Sequence, residues 1–216
     1  MPDLSLEQAL LRRGARPVAG ADEAGRGPLA GPVVAAAVVL PPELTGREDW
    51  LSLLDDSKRL TASRREQAFE AVREHALAWA VAAVEPDEID RTGVGVAALR
   101  AMLTAVEALS VRPAHLLLDY IPVRQCPYPY DAVVKGDSRS YSIAAASNVA
   151  KVTRDRIMGD YEISYPGYGF ARHKGYATAL HLERLREIGP CDIHRRSFAP
   201  VAQARLAFAD GSTSSP

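Results

Sequence analysis

Four carboxylates, Asp22, Glu23, Asp119 and Asp137, each stand at or just past the end of a short apolar run in this 216-residue chain. The runs are Val18-Ala19-Gly20-Ala21, His115 to Leu118, and Ala132 to Val134. Short apolar runs bounded by turn residues read as buried strands. A sheet that aligns such strands brings their ends together, so these acids would gather with little backbone freedom. Two more runs fit the same sheet: Val33 to Leu40, stopped by Pro41-Pro42, and Leu77 to Val84. Helical patterns separate them. Ser63-Arg64-Arg65-Glu66 fits a capping box opening a helix to about His75. Asp87 to about Leu109 reads as mostly helical, broken near Gly93 and Gly95. Ser140 to about Met158 is a helix of small residues, and Thr178 to Ile188 another. Strands first, then strands mixed with helices, predict an α/β layered domain without internal repeats.

Gathered carboxylates repel, and each raises the pKa of its neighbours. A divalent cation relieves that repulsion. Hard oxygen ligands suit Mg²⁺ or Mn²⁺ rather than zinc, which favours His and Cys. Two such ions, roughly 4 Å apart, can activate a water and stabilise a leaving oxygen in phosphodiester hydrolysis. One acid at a strand end is ordinarily a turn residue or a helix cap. Four together point to metal chemistry.

Composition narrows the class. Hydrophobic residues make up 47% of the chain, enough for a packed core and too many for a disordered chain. No apolar run is long enough to span a membrane, and Met1 to Leu11 carries acids where a signal peptide would be basic and then apolar. Cys126 and Cys191 lie far apart in no metal-knuckle spacing, which is the pattern of reduced cysteines in a cytoplasmic protein. The net charge of −1 argues at first against a nucleic-acid partner. From Lys135 to Arg196, however, eleven Lys or Arg stand against seven Asp or Glu, a local excess of +4. Local charge is what a phosphate-facing surface requires, although ordinary solvated helix faces give the same count.

The segment Gly20-Ala21-Asp22-Glu23-Ala24-Gly25-Arg26-Gly27-Pro28-Leu29-Ala30-Gly31-Pro32-Val33 carries the most specific signal. Gly25 and Gly27 let backbone approach a ligand, and Arg26 between them offers charged donors to phosphate. Directly after Asp-Glu and before Pro-Leu-Ala-Gly-Pro, this loop resembles the signature of the bacterial type 2 RNase H family, ribonuclease HII. Further blocks extend the resemblance from about Val18 to Val201. They are Asp56-Ser57-Lys58-Arg59-Leu60, Lys135-Gly136-Asp137, Ile143 to Ser147, Ala150 to Asp155, Tyr165-Pro166, Tyr168-Gly169-Phe170, His173-Lys174-Gly175-Tyr176 and His194-Arg195-Arg196-Ser197-Phe198.

The resemblance implies an RNase H-like core, a mixed five-stranded sheet flanked by helices, with a C-terminal helical extension that helps hold the hybrid. It implies a catalytic domain over residues 18–208, an N-terminal extension over 1–17 and a loose tail over 209–216. It carries catalytic and metal-binding roles onto Asp22, Glu23, Asp119 and Asp137, for two Mg²⁺ or Mn²⁺ ions. It assigns Gly25, Arg26 and Gly27 to the backbone around the scissile phosphate and to the 2′-hydroxyl. It places Tyr176 on the sugar following the ribonucleotide. The substrates it implies are RNA/DNA hybrids and duplex DNA carrying single ribonucleotides, cut on the 5′ side to leave a 3′-hydroxyl and a 5′-phosphate. One departure is Tyr120, followed by Ile121-Pro122, where many relatives have Gly after the third acid; it puts the loop shape in question and not the ligand.

Weaker features stand beside these. Lys151 and Arg154 share a helical face with Ser147 and Asp155, which offers either backbone phosphate contacts or a Lys151–Asp155 surface pair. Ser57 and Lys58 either hold phosphate or cap the next helix. His173, His181 and His194 lack zinc spacing and read as structural. Gln203 to Phe208 faintly resembles a sliding-clamp-binding peptide but fits a last amphipathic helical turn better. Nothing in the chain requires more than a monomer. The rival readings are a type 3 RNase H, which usually carries a longer N-terminal extension, and a non-catalytic hybrid-binding module, which has no reason to concentrate anions beside phosphate.

Overall fold

The computed structural model describes residues 1–119 and 126–209. Its elements in chain order are α1 (Ser5–Arg12), β1 (Val18–Ala24), β2 (Val33–Val39), α2 (Ala62–His75), β3 (Ala78–Val84), α3 (Pro86–Thr92), α4 (Val94–Glu107), β4 (His115–Asp119), β5 (Tyr130–Val133), α5 (Tyr141–Ser164), α6 (Phe170–His173), α7 (Ala179–Ile188) and α8 (Ala199–Ala209). The strands form one mixed five-stranded sheet in the order β3-β2-β1-β4-β5. β1, β2 and β3 pair antiparallel, whereas β1, β4 and β5 run parallel. The anticipated α/β architecture is therefore present.

Every residue of β2 is buried, as expected of a strand covered on both faces. On one face α5 packs against β1 and β2, with Ala144, Ala145, Val149 and Val152 meeting Ala36 and Val38. On the other, α4 sets Ala98, Ala101, Met102 and Ala105 against alternate residues of β1 to β4. The alanine run of α5 permits a close approach to the sheet. At Gly20 the approach is closest: a Cβ there would lie 2.3 Å from the backbone of Ser142. Any side chain at that position would push α5 off β1, and with it the residues α5 contributes to the site.

Several boundaries differ from the sequence-based expectation. The helix after Leu60 is capped by Thr61, whose Oγ1 accepts from Arg64 N at 3.3 Å, so Ser63 and Glu66 form no capping box. Glu66 instead accepts from Arg156 at 2.5 Å. β5 begins at Tyr130 and ends at Val133, so Asp137 lies in a separate 3₁₀ turn, Gly136–Ser138, entered through Lys135 at φ 53°. α5 runs on to Ser164, beyond the expected Met158, and Gln203 to Phe208 lie within α8. The break between α3 and α4 falls at Gly93, φ 83°. The N-terminal segment is bound to the core. Ser140 Oγ, Ser142 N and Ser142 Oγ donate to Glu7 Oε1 at 2.5, 2.9 and 2.8 Å, which sets an acidic side chain at the N-terminus of α5. Tyr120 and the residues 210–216 of the expected tail lie outside the described residues. Among the described residues no helix is long and apolar enough to cross a membrane, and both cysteines are free.

Candidate active site

The parallel pairing of β1 with β4 aligns Ala21 with Leu118, so the next residues, Asp22 and Asp119, emerge side by side at the carboxyl ends of neighbouring strands. The turn after β5 supplies the third acid. One oxygen each from Asp22, Asp119 and Asp137 lie within 4.8 Å of one another. Asp119 is held from its far side, where Oδ1 accepts from Gly136 N at 2.7 Å. The turn carrying Asp137 is thereby tied to the end of β4. Asp22 Oδ1 accepts from Glu23 N at 2.7 Å.

Burial pushes the Asp22 carboxyl well above the usual range, and the charges of Glu23 and Asp119 push it further. Glu23 and Asp137 are raised as well, again chiefly by burial, against the opposing pull of Arg26 and Lys58 respectively. Lys58 Nζ lies 3.3 Å from Asp137 Oδ2. Burial works against its charge, but the carboxylates of Asp137 and Asp22 overcome that and raise its pKa. Glu23 stands just outside the cluster of three. Its Oε1 meets Arg26 Nη1 at 3.3 Å, while its Oε2 is buried with no hydrogen-bond partner among the described residues. An unsatisfied buried carboxylate oxygen beside three gathered carboxylates is a donor set suited to hard divalent cations.

A cavity of about 250 Å³ opens over this cluster. Its lining includes Asp22, Glu23 and Asp119, the loop residues Gly25 to Gly27, and Ser57, Lys58, Lys151 and Tyr176. Gly25 sits at φ 98°, and a Cβ there would lie 2.1 Å from Arg154 Nε. Only glycine satisfies both the conformation and the contact. Tyr176 is 44% exposed, and a Cβ at Gly27 would stand 3.9 Å from its ring.

The remaining expectations separate. Lys151 lines the cavity while its Nζ donates to Asp155 at 2.6 Å, so the surface pair and the site position coexist. Ser57 is buried, its Oγ 3.0 Å from Ser147 Oγ. Arg154 requires correction. It is 0% exposed, so its guanidinium faces protein and not a nucleic-acid backbone. Nε, Nη1 and Nη2 donate to the carbonyls of Pro32, Lys174 and Ala30 at 3.0, 3.0 and 3.1 Å. Helical periodicity placed it on the same face as Lys151 but carried no information on depth.

Arg195, which sequence reasoning quoted only within a motif block, acts in the same way. It donates to the carbonyls of Gly31, Arg26 and Gly25 at 3.0, 2.9 and 2.5 Å. Burial lowers Arg154 to about 10 and Arg195 to about 9. Both are therefore charged at neutral pH, with carbonyl dipoles in place of counter-ions. Ser147 is the other residue missed: it joins Ser57 to Asp22, and a lone helical serine gives no signal of that role.

Comparisons with known proteins converge on one family. The family model described as Ribonuclease HII matches residues 19–201. A Ribonuclease HII of Myxococcus xanthus is 53% identical over 202 residues, covering 93% of this chain and 67% of its own length. That of Chloroflexus aurantiacus is 48% identical, with 96% and 98% covered. Among solved structures, the ribonuclease H2 from Pyrococcus horikoshii OT3 superposes with a TM-score of 0.75 at 27% identity, covering 89% of this chain and 98% of that one.

Proposed function

Since the chain belongs to the ribonuclease HII family and is an endoribonuclease, we propose that it hydrolyses RNA in RNA/DNA hybrids and cuts on the 5′ side of single ribonucleotides in duplex DNA. The products are a 3′-hydroxyl and a 5′-phosphate. The observation that carries this reading is the convergence of Asp22, Asp119 and Asp137, with the unsatisfied Oε2 of Glu23, beneath a cavity rimmed by Gly25 to Gly27 and Tyr176.

Asp22 and Asp119 are the central ligands for Mg²⁺ or Mn²⁺, and Glu23 and Asp137 complete the set. When bound, such cations activate a water and stabilise the departing 3′-oxygen. The chain's own residues supply position and recognition. Gly25, Arg26 and Gly27 bring backbone and charge to the scissile phosphate. The same close approach suits detection of the 2′-hydroxyl, the group that distinguishes RNA from DNA at one position. The Tyr176 ring takes the following deoxyribose. Lys58 and Lys151 face the phosphate backbone, and Ser57 supports the floor through Ser147. Arg154 holds the loop instead of the substrate. Residues 18–208 form the catalytic unit, with 1–17 an extension bound to it.

The test is cleavage of a labelled DNA duplex bearing one ribonucleotide, with Mg²⁺ or EDTA, beside Asp119→Asn. The expected result is a cut 5′ to the ribonucleotide that disappears with EDTA and with the variant. A chain that spares this duplex but cuts a long hybrid has type 3 specificity. One that binds both and cuts neither overturns the catalytic reading.

A further inference from the structure

Away from the acids, three histidines of the C-terminal region sit ring against ring. His173 and His181 stack at 4.3 Å between centroids and 12° between planes, and His194 closes the group at 5.2 Å from His181. All three are buried. Their partners fix where each proton resides, because a carbonyl only accepts and a backbone N–H only donates. His181 Nδ1 lies 2.9 Å from the Tyr176 carbonyl and must carry the proton. Its Nε2 is then an acceptor, so His194 Nε2, 3.0 Å away, must donate to it. His194 Nδ1 is left to accept, and Cys191 N donates to it at 3.0 Å. The 3.3 Å approach of the same nitrogen to the Cys191 carbonyl is thus a contact without a proton. His173 has the same form, with Nε2 donating to the Tyr168 carbonyl at 2.8 Å and Nδ1 accepting from Gly175 N at 3.1 Å. Each imidazole is neutral, and the hydrogen bonds run in one direction from Cys191 through His194 and His181 to Tyr176.

That direction ends at the residue whose ring faces the cavity. The same segment is stitched to the glycine loop: Leu29 N donates to the Gly175 carbonyl at 2.8 Å, Arg195 N to the Leu29 carbonyl at 2.8 Å, and Ala30 bridges His194. A purely apolar core would fill this volume without imposing a proton order. We propose that His181 and His194 are positioning residues for the cleavage reaction, their one-way hydrogen-bond chain fixing the Tyr176 backbone so that its ring meets the substrate in one place. This rests on the nuclease reading above. Neither histidine touches substrate; both act through Tyr176.

The experiment measures KM and kcat on the single-ribonucleotide duplex with Mg²⁺ for the wild-type chain, His181→Leu and His181→Asn. The asparagine amide can place an N–H where Nδ1–H was. Losing one hydrogen bond that orders a binding residue is expected to raise KM about fivefold in His181→Leu with kcat nearly unchanged, while His181→Asn stays near wild type. If both variants keep the wild-type KM, the histidines only fill the core and the proposal falls. Should His181→Leu fail to fold, ¹⁵N NMR of the wild-type rings reads the proton order directly. Protonation of His181 at Nδ1 and of His194 at Nε2 supports the relay, and any other pattern overturns it. A wild-type chain that cuts nothing overturns the nuclease reading itself. Cleavage by wild type with an unmoved KM in His181→Leu overturns the positioning role alone.

Discussion

The loop from Gly25 to Pro32 is bordered by two clusters of titratable side chains that the fold treats in opposite ways. The histidines are buried with both nitrogens of each ring partnered, and they are stable because they stay neutral. The acids at the strand ends are gathered at the edge of an open cavity, with Asp22, Glu23 and Asp137 all raised in pKa and one Glu23 oxygen unsatisfied. The first cluster is satisfied as it stands, while the second has the donor set of a cation site. A polar cluster that satisfies itself rigidifies the fold, whereas one left unsatisfied can gain free energy from a ligand.

Replacing an acid tests that contrast most severely. Asp22→Asn is expected to reduce cleavage on the order of 10³-fold, the scale of several kcal/mol of lost charge stabilisation. In EDTA, however, the variant should unfold at no lower urea concentration than wild type. The sign follows from the raised pKa: ionised Asp22 opposes folding at neutral pH, and that opposition fades as pH falls through its folded pKa. A large loss of stability in EDTA would mean that the acid cluster is structural.

The buried arginines should show the reverse pattern. Arg154→Met leaves the carbonyls of Pro32, Lys174 and Ala30 without their donor and should cost about 3 kcal/mol in urea unfolding. The salt dependence of duplex binding should stay as in wild type. Lys151→Met should do the opposite, leaving stability nearly intact and flattening the salt slope by about one unit. If Arg154→Met flattened the slope instead, the phosphate contact first expected of it would be restored. Mg²⁺ at about 100 times its Kd should stabilise the wild-type chain by about 2.7 kcal/mol, and Asp22→Asn much less.

The smallest effect is that of pH on the histidines. Burial lowers His181 to about 4 and His194 to about 3; repulsion from His173 adds to both, and repulsion from His181 adds at His194. The unfolded chain protonates them near pH 6.5. Their contribution is therefore full above pH 6.5 and is lost as pH falls from there towards 4 and 3. The raised acids gain stability as pH falls through their own folded pKa, so the comparison must be between variants. His194→Gln should unfold in EDTA with a weaker acid dependence than wild type, by roughly one proton between pH 6.5 and 4. An unchanged slope would show that His194 is not kept neutral by the fold.

Much of this was legible in the chain. Apolar runs ending in acids announced a sheet with a carboxylate edge, because burial demands apolar strands and charge is tolerated only where they end. The glycine loop was legible because only glycine suits its conformation. Asp137 was legible as an acid just past the fifth strand, but the turn that carries it was not, since it is set by Lys135 in a left-handed conformation that no propensity favours. The break at Gly93 was expected from local chemistry alone. The caps were harder: Thr61 and Ser63 both suit a helix start, and the structure caps with Thr61 while Glu66 pairs with Arg156.

What the sequence determined by itself was the set of strands, the acids at their ends and the loop between them. These follow from local rules of periodicity, burial and backbone freedom. The tertiary structure alone decided depth and partnership. It buried Arg154 and Arg195 among carbonyls of the glycine loop, left Lys151 at the cavity wall, and gave the histidines a single proton order. Charge, helical face and spacing read the same for an arginine that binds phosphate and one that braces a loop. Only the packing of distant segments removes the water that would make them equivalent.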